Sequence, residues 1–208
     1  MKLRVLHLRD YQRTRWKNDG GWTTEIARDP PAGESAEFRW RVSIADIEAD
    51  GPFSTFPGID RDLLLLAGNG IELDINQDRP ARLNQRFQHV RFAGEDAVVC
   101  RLLAGPTRDF NVMSRRESTR AQVHARPLNG TMLVFVEPAS TWLIHVHAGS
   151  ASVRHDDQAL VVDSGATLLI DADASTRERL VIEGGGELVL VGFHDAASRA
   201  PAWLQGES

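Results

Sequence analysis

Two arginines raise the question of chemistry, because a guanidinium presents a planar fork of donors that matches a carboxylate. Arg41 lies in Phe38-Arg39-Trp40-Arg41-Val42-Ser43-Ile44. The strict alternation there puts Phe38, Trp40, Val42 and Ile44 on one face of a strand and Arg39, Arg41 and Ser43 on the other. Arg61 follows the Phe56-Pro57-Gly58 bend, and Asp109 and Asn111 flank Phe110. Asn18, Thr24 and Glu25 surround Gly20-Gly21, where the missing side chains let backbone amides approach a ligand. Trp16 and Phe53 supply apolar walls. The expected chemistry is binding of a small carboxylate by Trp16, Asn18, Gly20, Thr24, Glu25, Arg41, Ser43, Arg61 and Asn111, with no catalytic residue among them. The competing reading is internal pairing of Arg41 or Arg61 with Glu25 or Asp109, since a buried arginine is more often paired than functional.

Metal and thiol chemistry find less support. His145 and His147 stand at i and i+2, so on a strand both face one side, but no carboxylate follows before Asp156. They read as partly buried structural histidines. His89, His124, His155 and His194 are scattered. The single cysteine, Cys100, sits in Ala97-Val98-Val99-Cys100-Arg101-Leu102-Leu103, where a buried thiol behaves as a small hydrophobe. No metal and no cofactor are expected.

The elements that must position these residues are strands. Leu63 to Leu66, then Gly68-Asn69-Gly70, then Ile71 to Ile75 read as two strands joined by a hairpin-type turn. Further runs cover 98–103, 131–136, 142–146, 159–162, 167–170, 180–182 and 188–191, punctuated as turns by Gly149, Asp156-Asp157, Gly165 and Gly184-Gly185-Gly186. No helical periodicity exceeds two turns. A faint repeat, Leu63 to Gly68 against Leu143 to Gly149, suggests two β-barrels joined near Arg115 to Pro127. The 208 residues, 42% hydrophobic and 25% charged, can bury a core without a disulfide or a metal. A net charge of −5 argues against direct nucleic-acid binding, and Ser114-Arg115-Arg116-Glu117 reads as a solvated face. No run approaches the roughly 18 apolar residues of a membrane span, and the N-terminus lacks a signal-peptide pattern, so a cytoplasmic protein is expected.

Three stretches are more specific than generic β sequence. They are Trp16-Lys17-Asn18-Asp19-Gly20-Gly21-Trp22-Thr23-Thr24-Glu25-Ile26-Ala27, the segment from Trp40 through Asp50-Gly51-Pro52-Phe53 to Arg61, and Gly105-Pro106-Thr107-Arg108-Asp109-Phe110-Asn111-Val112-Met113. Together they resemble the HutD/Ves family, and the remainder matches only as cupin-like β sequence. The resemblance implies an all-β double cupin (bicupin), with one antiparallel barrel half over 1–114, a second over 115–208, and the two packed as one unit. It implies a cytoplasmic protein of HutD type, linked to histidine degradation as a restraint or sensor, with urocanate or a related acid as ligand; Ves members are tied to stress or cold response. It supplies no reaction. The family usually carries glycine where this chain has Asp19, and a carboxylate close to the ligand there would change what is bound. The paired histidines and glutamate by which cupins commonly hold a metal are missing from Phe53 to Asp62. Two other functions stay open: a metal-independent isomerase or hydrolase using Glu25 or Asp109 as base, and a partner-binding protein. A homodimer is compatible with all three.

Overall fold

In the computed structural model, which describes residues 1–35, 37–155, 158–175 and 177–197, the alternation read from the sequence becomes sheet. In chain order the strands are β1 (Lys2–Leu6), β2 (Gln12–Arg15), β3 (Gly21–Asp29), β4 (Trp40–Ile47), β5 (Gly51–Pro52), β6 (Ile59–Ala67), β7 (Ile71–Ile75) and β8 (Arg79–Leu83). Then come β9 (His89–Ala93), β10 (Val98–Leu102), β11 (Thr107–Arg115), β12 (Thr119–Val136), β13 (Thr141–His155), β14 (Gln158–Asp163), β15 (Thr167–Asp171) and β16 (Glu178–Asp195). Among the described residues the only helical turn is a 3-10 turn at Leu8–Asp10. The chain is all-β with antiparallel sheets, as expected.

Three sheets form. One runs β2-β3-β4-β11-β6-β9, a second β5-β10-β7-β8, and the third β1-β15-β13-β16-β12 with β14 beside β13. The first two enclose a core of Ile47, Leu63, Leu65, Ile71, Leu73, Phe92 and Cys100. The third wraps its own core around Ile144, Val146, Leu168, Ile182 and Leu188. Between them a further layer joins Trp40, Val42, Leu64, Phe110 and Val112 to Leu143, Val189, Val191 and Phe193, with the Trp40 and Phe193 rings stacked at 4.6 Å. Trp40 and Val42 therefore face the third sheet, and Arg41 and Ser43 face the opposite way, into the first core.

Several local readings are corrected. Gly68-Asn69-Gly70 does not close a hairpin, because β6 and β7 belong to different sheets. With Gly68 at φ 95° and Gly70 at φ 103°, the turn instead carries the chain from one sheet to the other. The stretch from Arg115 to Pro127 is not a linker: β11 runs to Arg115, and β12 starts at Thr119 and pairs with β16 throughout. Its short apolar positions, Ala121, Val123 and Ala125, are what pack, and they carry little hydrophobic signal. Gly149 and Gly184 to Gly186 are not turns either, since β13 and β16 pass through them. A Cβ on Gly149 would collide with the Gly185 carbonyl oxygen, and one on Gly186 with that of Ala148, so these glycines allow two long paired strands to approach closely where their register shifts. Asp156-Asp157 lies outside the described residues. The first strand also departs from the division at 114/115: β1 pairs with β15 of the third sheet.

Candidate functional site

Strand register assembles the polar face. Directly paired residues on neighbouring strands project to the same side. Arg41 on β4 pairs with Met113 on β11, which pairs with Arg61 on β6. One row on, Glu25, Ser43, Asn111 and Leu63 align across four strands, and beyond them Thr23, Ala45, Asp109 and Leu65. Two guanidinium groups, two carboxyl groups, an amide and two hydroxyls thus share the floor of the first core.

Within that floor the charges are unequally matched. Arg41 Nε donates to Glu25 Oε2 at 2.6 Å, so half of the internal-pairing alternative is realised. Arg61 is 5% exposed and makes no ion pair among the described residues. Its Nη1 reaches only the Ser54 carbonyl oxygen, at 3.4 Å, and its Nε has no partner. Three aromatic faces surround it, with Phe53, Phe56 and Phe92 centroids 5.2, 5.7 and 5.0 Å from Cζ. Burial lowers its pKa to about 10, with Asp109 opposing that shift and the positive charge of Arg41 adding to it. Asp109 is 1% exposed, its Oδ1 is unpartnered, and burial pushes its carboxyl up to about 7 against the pull of Arg61. Asn111 Oδ1 is likewise buried and unpartnered. The arrangement is a buried cation with spare donors beside a second cation, which suits a small anion.

The structure brings Glu25, Arg41, Ser43, Arg61 and Asn111 together, and Trp16 packs against the same core with Nε1 donating to Thr23 Oγ1 at 2.8 Å. It does not bring in the others. Asn18 is exposed and closes the turn between β2 and β3, its Oδ1 accepting from Gly20 N at 3.1 Å. Gly20 contributes its carbonyl to Glu48 N and Ala49 N. Thr24 pairs with Ile44, on the side of β3 opposite Thr23, so Thr23 is the threonine of the cluster; counting back by two from Glu25 would have identified it. Asp19 takes the left-handed φ of 57° and points to solvent, 84% exposed and 3.3 Å from Arg15 Nε. Met113, Phe56 and Phe92 were missed because apolar side chains give no chemical signal of their own.

Of the other candidates, His145 and Cys100 are satisfied or inert. His145 Nδ1 lies 3.0 Å from Thr167 Oγ1, which lies 2.7 Å from the Tyr11 hydroxyl, and burial pushes the His145 ring down to about 3. Burial raises the Cys100 thiol to about 12. No three His, Cys, Asp or Glu side chains among the described residues converge as a metal set. Nor is any helix among them long and apolar enough to cross a membrane. A cleft of about 1030 Å³ opens in the third sheet, away from the Arg61 cluster. Open space alone says little about an anion site, so the unpaired charge is the better guide.

Comparison with known proteins agrees with the fold and adds the family. The chain is 40% identical over 153 residues to a 21.2 kDa protein of the hutC 3′ region of Pseudomonas putida, covering 73% of this chain and 77% of that one. It is 34% identical over 152 residues to protein Ves of Citrobacter koseri, covering 73% and 75%. The crystal structure of a conserved Pseudomonas aeruginosa protein of unknown function superposes with a TM-score of 0.83 at 28% identity, over 95% of this chain and all (100%) of that one. HutD of Pseudomonas fluorescens, solved in a formate condition, superposes with a TM-score of 0.79 at 31% identity, over 93% and 99%. A cupin barrel protein of Leptotrichia buccalis shares the fold at 9% identity and a TM-score of 0.52, over 83% and 88%. The HutD family model matches residues 8–190, and the chain belongs to the HutD family.

Proposed function

We propose that the protein is a metabolite-binding regulator or sensor of histidine utilisation that takes a small carboxylate, urocanate or a related breakdown intermediate, onto Arg61. The observation that carries this reading is a guanidinium 5% exposed, without an ion pair among the described residues, and close to a second arginine. An ionised group held in a poorly solvated interior is costly until a counter-charge and hydrogen bonds meet it. A ligand carboxylate does both, and a charge-assisted contact contributes about 1.5–3 kcal/mol. Ser43 and Asn111 offer polar groups to the ligand's other end, and Phe53, Phe56 and Phe92 bury its body. The position of the Pseudomonas putida relative in the hutC 3′ region, and the HutD name itself, support histidine utilisation as the pathway. A thermal-shift screen against small acids, with urocanate and formylated amino acids included, tests it. An acid at a hundred times its Kd adds about 2.7 kcal/mol and raises Tm by about 5–10 °C in a chain of this size. If no acid in the panel raises Tm, the reading fails.

One observation favours a second reading, a metal-independent isomerase or hydrolase. Asp109, pushed up to about 7, has the pKa of a general base working near neutrality. Consumption of the bound acid by the parent, lost in Asp109→Asn while binding persists, would select the enzyme.

A further inference from the structure

The third sheet holds a cleft of about 1030 Å³ lined by Met132, Val134, Val136, Trp142, Leu190 and His194, with His124 farther along the wall. Among the described residues, two polar groups there lack partners although their residues are buried. Trp142 is 3% exposed and its indole Nε1 finds no acceptor among them; His194 is 8% exposed and its Nε2 is unpartnered among them. Their rings meet edge to face at 5.8 Å. Gly192 lies beneath them, in mid-strand, where a Cβ would come within 2.9 Å of the indole and 3.1 Å of His194 Nε2. Its φ is not in the left-handed region, so glycine serves there to make room.

The chemistry on offer is specific. His194 Nδ1 lies 3.6 Å from Glu137 Oε2, which favours the tautomer with its proton on Nδ1 and leaves Nε2 as an acceptor. Burial also holds the His194 and His124 rings below their ordinary pKa, which favours the neutral ring. The cleft therefore offers one donor, Trp142 Nε1–H, and one acceptor, His194 Nε2, beside the apolar side chains of Met132, Val134, Val136 and Leu190. We infer that this cleft is a second small-molecule site, for a neutral aromatic or heteroaromatic compound carrying an amide-like edge whose carbonyl accepts from Trp142 and whose N–H donates to His194. A carboxylate fits this pair poorly, since it presents acceptors only and has nothing to donate to His194 Nε2, even though Arg126, Arg177 and Arg179 also line the cleft, with Glu137, Glu178 and Asp195 among them. This site does not depend on the carboxylate reading of the Arg61 cluster.

Benzamide, with benzoate as its isosteric charged control, tests the proposal on the full chain by ¹H–¹⁵N NMR. Trp142→Phe assigns the indole resonance of Trp142 among the five tryptophans. The expected result is a saturable shift of that resonance with benzamide, binding of benzoate at least ten-fold weaker, and a roughly ten-fold loss of benzamide affinity in His194→Phe, the value of one hydrogen bond. Arg61→Gln should leave benzamide binding unchanged. An unmoved indole resonance in the folded parent overturns the proposal without recourse to any variant. So does equal binding of benzoate, or loss of benzamide binding in Arg61→Gln. The exposed Leu133 and Phe135 border the cleft, so a second copy of the chain is the competing occupant. A dimer in sedimentation that Phe135→Glu dissociates, with benzamide binding only to that variant, would assign the cleft to self-association and also overturn the proposal.

Discussion

Arg61 and Asp109 divide the work of the cluster by what each meets. Arg61 keeps its charge and has no ion-pair partner among the described residues; Asp109, fully enclosed, keeps its proton to about pH 7. A protonated Asp109 can donate to a ligand carboxylate, whereas the ionised form repels it. Affinity for a small acid should therefore fall as pH rises through about 7, and Asp109→Asn should flatten that dependence; calorimetry at pH 6 and pH 8 on both proteins checks it. The same carboxyl affects folding with a definite sign. Its pKa rises from 3.8 unfolded to about 7 folded, so between those values the native state holds a proton that the unfolded chain has lost. That contribution is present at acid pH and is lost as pH climbs from about 4 to about 7. Relative to the parent, Asp109→Asn should thus gain stability across that window and no further above it, as denaturant titrations at pH 5, 7 and 9 would show.

At the scale of elements, the strands were legible where alternation is strict and opaque where glycine or alanine carries the packing. Phe38 to Ile44 gave β4 and both its faces, because large apolar and charged residues alternate there. Thr119 to Pro127 was hidden because its inward residues are Thr119, Ala121, Val123 and Ala125, too small to mark a strand. Gly149 and Gly184 to Gly186 looked like turns because glycine is ambiguous in sequence: it permits a tight turn, and it equally permits two backbones to touch. Gly149→Ala separates these meanings. At φ 84°, with the Gly185 carbonyl in the path of its Cβ, the substitution should cost about 3 kcal/mol or more, visible as a large fall in Tm. An alanine tolerated there would contradict the close approach of β13 and β16.

At the scale of the whole molecule, the chain ties its beginning to its end. β1 pairs with β15, and the Tyr11 hydroxyl lies 3.0 Å from the Gly165 carbonyl oxygen and 2.7 Å from Thr167 Oγ1. Tyr11→Phe should cost about 1–2 kcal/mol by leaving those partly buried groups without their hydrogen-bond partner. None of this could be read from the sequence, which shows spacing along the chain but not which distant strands pair. The site was legible to a similar degree: the types and faces of Arg41, Ser43 and Arg61 were visible, and pairing with Glu25 or Asp109 stood as an alternative for both arginines. Which arginine is paired could not be read, because that follows from register across β3, β4, β11 and β6. The isolation of Arg61 is the central claim, and calorimetry with the acid selected by the thermal-shift screen tests it most directly. Arg61→Gln should weaken binding a hundred-fold or more while remaining folded, Arg41→Ala should weaken it about ten-fold, and Arg154→Ala, 77% exposed on the third sheet, should leave it unchanged. A folded Arg61→Gln that binds the acid as tightly as the parent would contradict the account.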